Sequence, residues 1–152
     1  MVIQTDSDLH SLAEQFGACT LPHKEWTHTA HLAVGVWHIA HYGTEEALSR
    51  LRVGIRRLND SHGTVNSATS GYHETVTRAY VQLLSEFFER CRPELPLVER
   101  FALLLASTLA DKQVLLRFYS RETLMSADAR ARWVDPDLAP LELKGVFKAC
   151  AV

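Results

Sequence analysis

The sequence has no long hydrophobic run. Its longest, FALLLA (Phe101 to Ala106), falls far short of the roughly 20 residues that span a bilayer, so no membrane partner is expected. No charge of one sign dominates either. Sixteen basic against 18 acidic residues leave a net charge of −2, which argues against nucleic acid as a partner. The one basic cluster, SRLRVGIRRL, places Arg50, Arg52, Arg56 and Arg57 around more than half a helix and reads as a solvated face. Cysteine is scarce. Cys19, Cys91 and Cys150 are odd in number, widely spaced and without C-x-x-C, which points to reduced thiols and a cytoplasmic setting. The start, MVIQTDSDLHSLAEQF, turns polar at once, so no signal peptide is expected. Nucleophile motifs, phosphate loops, dinucleotide fingerprints and zinc-ribbon spacings are missing, as are strand alternation, repeats and linkers.

What is present is helical periodicity along a chain of 152 residues, about one domain. Leu9, Leu12, Ala13 and Phe16 recur at three and four behind a capping box of Thr5 and Asp8. A second helix is expected from Pro22 to Tyr42, stopped by Gly43, and a third capped by Thr44 with Leu48, Leu51, Ile55 and Leu58 as its stripe. The segment from Asn59 to Gly71 has no apolar period and is rich in turn formers. Its length suggests a binding loop or cover. A fourth helix is expected from Tyr72 to Cys91, and a fifth from Leu97 to Ala110 that is apolar all round and therefore central. A sixth in DKQVLLRFYS and two short helices behind Ser120 and Ser126 lead to an extended tail, VDPDLAPLELKG. The fold class is therefore all-α, a single-domain bundle of about six helices.

Histidine is the compositional anomaly, with eight in the chain. Four lie in HTAHLAVGVWHIAH, in two pairs of H-x-x-H spacing. At about 100° per residue, His31, His38 and His41 fall near 300°, 280° and 220° from His28, on one arc, while the rest of the helix is apolar. Lysine and glutamate are the usual residues of a wet stripe, so imidazoles there suggest a lined cavity or a metal site. His28 and His31 stand about 4.5 Å apart along the axis and could meet one ion; the two pairs, about 10 Å apart, could not easily share it. For any single histidine the alternative is a core hydrogen bond.

GYHETVTRAY supplies a second half. His73 and Thr77 fall at the N-terminal end of an apolar face built by Val76, Tyr80, Leu83, Leu84 and Phe87. The leading expectation is a divalent metal ion, Fe or Zn, on His28, His31 and His73, with Glu74 as a catalytic base and His38, Thr77 and Tyr80 in the adjoining pocket. Glu74 also suits a first-turn acid that serves the helix dipole. Arg117 and Arg121 are alternatives for holding a carboxylate, or surface ion pairs. Two other functions stay open: a metal-free pocket for a small molecule, lined by the histidines with Trp26, Trp37 and Tyr80, and an interaction surface tuned to pH. Oligomeric state is not legible.

The phrases WTHTAHLAVGVWHIAHYG, GYHETVTRAYV and FYSRETLMSADARARWVDPDLAPL together resemble a family of small bacterial proteins of unknown function. The resemblance runs from about residue 20 to 141. It implies one continuous helical domain and carries no mechanism.

Overall fold

The computed structural model describes residues 2–143, which are helical with no strand. Helix α1 (Asp6–Gly17) starts on the expected capping box: the Asp8 N–H donates to Thr5 Oγ1 at 3.1 Å, and the Thr5 N–H donates to the Asp8 carboxylate at 2.8 Å. Helix α2 (His28–Tyr42) begins later than Pro22 suggested. A 3-10 turn (His23–Glu25) comes first, the chain breaks at Trp26, and the Thr27 hydroxyl accepts the Ala30 N–H at 3.2 Å. The tripeptide WTH thus holds a cap that the proline signal masked. Gly43, at φ 77°, ends α2 and also caps α3 (Thr44–Ser61), so Thr44 is not the cap. Its hydroxyl donates instead to Ser85 Oγ at 2.9 Å, tying α3 to α4 (Glu74–Arg90).

Beyond α4 the expected pattern holds less well. Helix α5 (Leu97–Leu105) is shorter than predicted and is not central. Leu103 and Leu105 are exposed while Phe101 and Leu104 are buried, so FALLLA packs one face only. The end of the expected fifth helix is a 3-10 turn (Thr108–Ala110), and the expected sixth is reduced to another (Val114–Arg117), with Asp111, Lys112 and Gln113 between them. Asp111 Oδ1 accepts the Gln113 N–H at 2.9 Å, a local side-chain bond that competes with helix. Short helices α6 (Arg121–Leu124) and α7 (Ala127–Ala131) start on Ser120 and Ser126, as expected. The tail then runs without helix along α4, burying Leu141 and Leu143; Gln82 donates to the Leu141 carbonyl at 3.0 Å. Its last expected residues, Lys144 and Gly145, and Cys150 lie outside the described residues.

Helix α2 touches α1, α3, α4 and α5, and one continuous hydrophobic core surrounds it. Its contact with α4 is close because Gly35 has no side chain: a Cβ there would stand 3.1 Å from Leu84 Cδ1. The α1–α3 contact has a sharper feature. A Cβ on Gly54 would overlap the fully buried Phe16 ring. Gly54→Ala is therefore expected to destabilise the fold by about 1–2 kcal/mol, the overpacking cost outweighing the roughly 1 kcal/mol gain in helix propensity. In the background of Phe16→Leu the same change should be neutral or stabilising. Urea denaturation of the four proteins checks the sign reversal.

The arginine cluster keeps Arg50, Arg56 and Arg57 exposed, as a solvated face requires, with Arg52 half-buried. Arg50 pairs with Glu46 at 2.8 Å and lies over the Tyr42 ring, Arg52 pairs with Glu74, and the Arg56 guanidinium lies 4.1 Å from the centre of the Tyr72 ring. No helix among the described residues is long and apolar enough to cross a membrane.

Candidate functional site

The break at Trp26 folds the indole back against the start of α2. Trp26 stacks on His31 with ring centres 3.7 Å apart, and on its other side meets Phe16 at 5.4 Å. His31 Nδ1–H donates to the Thr27 carbonyl four residues back, at 2.7 Å, so only Nε2 is left to meet anything else. Burial of the stacked ring lowers its pKa, with the Thr27 carbonyl opposing. His31 is nonetheless exposed: the tryptophan covers one face of the ring and water keeps the other, which limits the depression.

Behind this pair lies a cavity of about 400 Å³ between α2, α3 and α4. Leu32 and Gly35 form the α2 wall, Leu51 and Ile55 the α3 wall, and Val76, Val81 and Leu84 the α4 wall. Polar groups enter at a few places only. His28, the first residue of α2, meets Tyr80 of α4 edge-on, with ring centres 5.8 Å apart. Both line the cavity, and each keeps a buried polar atom with no hydrogen-bond partner, Nε2 in His28 and the hydroxyl in Tyr80. Burial lowers the His28 pKa, helped by the Lys112 charge, against the pull of the Ala110 carbonyl and Asp111. Burial also raises the Tyr80 phenol to about 12, so it keeps its proton. Thr77 completes the α4 side, its hydroxyl donating to the His73 carbonyl at 2.9 Å. Lys112 reaches the cavity from the turn after α5.

Of the residues expected at a site, His28, His31, Thr77 and Tyr80 come together here. His73 does not join them. It is the N-cap of α4: the Val76 N–H donates to its Nδ1 at 3.1 Å, and its Nε2–H donates to the Leu124 carbonyl at 2.7 Å. Both ring nitrogens are committed to structure. The expected three-histidine set is therefore not assembled, and no group of three or more metal-ligating side chains occurs among the described residues.

Glu74 is likewise turned away from the cavity. Arg52 Nε donates to both of its oxygens, 3.0 Å from Oε2, and the Tyr72 hydroxyl donates to Oε2 at 2.9 Å. The carboxylate thus serves a guanidinium and a phenol and does not line the cavity, so it is not placed for general-base work on a ligand there.

His38 lies outside the cavity as well. It is buried against Phe16, Trp37 and Tyr42, with Nδ1–H donating to the Val34 carbonyl at 2.8 Å. His41 repeats the pattern on the Trp37 carbonyl at 2.8 Å while stacking on the Trp37 ring. So the second pair divides: His38 packs with Trp37 against α1, and His41 lies exposed on the Trp37 ring. The loop from Asn59 to Gly71 covers nothing in the cavity. It winds around Asn66, whose Oδ1 accepts the Tyr72 N–H and the Asn59 amide while Nδ2 donates to Asp60 at 3.0 Å. Neither Arg117 nor Arg121 lines the cavity.

Sequence reasoning missed Lys112, for which no pattern speaks, and Gly35, whose place inside an apolar helix face was the available signal. No family model matches the chain, nor does any curated protein or solved structure.

Proposed function

We propose that this protein is a small-molecule-binding module, and that the α2–α3–α4 cavity takes a compact, mainly apolar ligand. The single observation behind this reading is the pair of orphaned atoms, His28 Nε2 and the Tyr80 hydroxyl, in a mainly apolar cavity of ligand size. A buried polar group without a partner costs about 1–3 kcal/mol, and a ligand that supplies the missing bonds recovers much of it. Closed core packing would have filled such a volume with side chains. A cytoplasmic setting belongs to the same proposal, supported by the free thiol of Cys19.

Trp26 lines the cavity, so its fluorescence reports occupancy in a Trp37→Phe, Trp133→Phe background. A panel of small apolar acids, alcohols and amines should include ligands with micromolar affinity. Ile55→Phe, which fills the cavity from the α3 wall, should weaken them by about tenfold or more while the fold stays intact by circular dichroism. Binding is expected to be the same with and without a chelator. Binding that requires added zinc or iron would instead favour a two-histidine metal centre on His28 and His31. Equal affinity in Ile55→Phe would place the ligand elsewhere and overturn the reading.

A further inference from the structure

The polar end of the cavity has a definite sense of charge. Lys112 is the one cation that lines it, no carboxylate lines it, and Lys112 makes no ion pair among the described residues. Lys112 is close enough to act electrostatically on His28, and His28 packs edge-on against Tyr80, so cation, imidazole and phenol share one end. The nearest competing anion, Asp111, is turned into its own loop, where Oδ1 holds the Gln113 N–H at 2.9 Å. Its charge still reaches His28 and Tyr80, but it does not line the cavity.

The hydrogen-bonding character agrees with the charge. The Tyr80 phenol retains its proton and has no acceptor, so it offers an unused O–H. Lys112 offers three more N–H donors. Thr77 spends its proton on the His73 carbonyl. His28 Nε2 becomes a further donor if the ring takes up a proton when an anion arrives, a change that burial and then Lys112 oppose and that the Ala110 carbonyl and Asp111 assist. The end therefore carries surplus donors and one positive charge, facing walls that are hydrocarbon.

We infer that the ligand is a monocarboxylate with an apolar tail, its carboxylate met by the Lys112 ammonium and the Tyr80 hydroxyl and its tail by Leu32, Ile55, Val76 and Leu84. This rests on the cavity being the binding site. A cationic ligand would meet Lys112 unfavourably, and a doubly charged phosphate would find one cation where it needs two. A neutral alcohol would satisfy Tyr80 but leave the lysine charge without a partner.

The test uses one tail with three heads: octanoate, octan-1-ol and octylamine, titrated by Trp26 fluorescence in the double-phenylalanine background at pH 7.5. Octanoate should bind about tenfold or more tighter than octan-1-ol, and octylamine weakest, because a charge-assisted hydrogen bond exceeds a neutral one. Lys112→Met keeps the apolar stem on an exposed side chain, so the fold is not at risk, and it should bring the acid-to-alcohol ratio towards one. Tyr80→Phe should narrow the same ratio. An alcohol that binds as tightly as the acid, or a ratio unchanged in Lys112→Met, overturns the carboxylate inference while leaving the cavity reading in place. Failure of all three probes to bind wild type, with Ile55→Phe no different, overturns the cavity reading itself.

Discussion

Acidification from pH 7.5 to 5.5 should remove much of the protein's resistance to urea. Three imidazoles are held neutral by the fold. Burial lowers the pKa of His28, His38 and His73 in each case, against an opposing carbonyl at Ala110, Val34 and Leu124 respectively. His73 also has a structural reason to resist a proton, because its Nδ1 lone pair caps α4 by accepting the Val76 N–H. In the unfolded chain all three titrate near pH 6.5. Below that value the unfolded state binds more protons than the folded one, so stability rises with pH and falls with acid. The contribution is complete above about pH 6.5 and is lost as pH drops towards the lowered folded values. At its limit one imidazole held neutral gives about 1.4 kcal/mol for each pH unit, against a typical total of about 5–15 kcal/mol, and the half-buried His28 gives less than the buried His38 and His73. His31 adds less, since its ring keeps an exposed face. The carboxylates of Asp8, lowered first by the Gln4 N–H, and Asp137, lowered first by the Ser120 hydroxyl, act in a separate window below about pH 4. Urea midpoints measured every half unit of pH give the number of protons directly. His38→Gln should start less stable and show a slope smaller by about one proton. Midpoints that do not move between pH 7.5 and 5.5 would mean the imidazoles titrate freely inside the fold.

Replacement of Glu74 by alanine should cost about 2–4 kcal/mol, the largest loss expected from any single carboxylate. Glu74 is 8% exposed and holds two partners at once: Arg52 from α3 and the Tyr72 hydroxyl from the loop before α4. Removing it leaves a half-buried guanidinium and a buried phenol unsatisfied. Burial, followed by the bond to Glu74 and its charge, pushes the Tyr72 pKa above the ordinary phenol range, so the phenol stays a donor in need of an acceptor. The arrangement also places Arg56 over the Tyr72 ring, and Arg130 of α7 donates to the Gly71 carbonyl at 2.8 Å. Glu74 therefore joins α3 to the start of α4, and Arg56 and Arg130 hold the adjoining Gly71–Tyr72 stretch. Glu74→Gln keeps one acceptor oxygen and should cost about 1 kcal/mol. In an Arg52→Met background, Glu74→Ala should cost less than it does alone, because the unpaired cation is gone. Equilibrium denaturation of the four proteins measures that coupling. Affinity for cavity ligands should stay within about twofold in Glu74→Gln, since Glu74 does not line the cavity. A loss of binding much larger than the loss of stability would restore Glu74 as a site residue.

The contrast between these residues indicates what the sequence could reveal. Short-range chemistry was legible: Thr5 with Asp8, Gly43 after Tyr42, and the serine caps of α6 and α7 are decided by neighbours a few positions away. The apolar stripes were legible too, because a helical period records which face is dry. Leu51 and Leu58 are buried as the α3 stripe requires, and Ile55 on the same stripe faces the cavity. Half of the candidate site followed from this, since the polar arc of α2 and the start of the α4 stripe do meet at His28, Thr77 and Tyr80. What failed was the pairing of distant groups. His73 finds the Leu124 carbonyl 51 positions away, and Glu74 finds Arg52 at 22. Periodicity says that such a side chain faces inward without saying what waits there. The repeated H-x-x-H has a local use that spacing alone does not reveal: His31, His38 and His41 each bond the carbonyl four residues back.

The Phe16 ring seated on the bare backbone of Gly54 has a consequence beyond its own packing. Helices that meet through leucines can slide past one another by a fraction of a turn, trading one set of contacts for another. A ring lodged in a one-residue notch cannot, so α1 is pinned in axial register against α3. The same ring is the backstop on which Trp26 stacks, and Trp26 forms one side of the cavity. A helix that contributes no side chain to the cavity thereby fixes one of its walls, through Trp26.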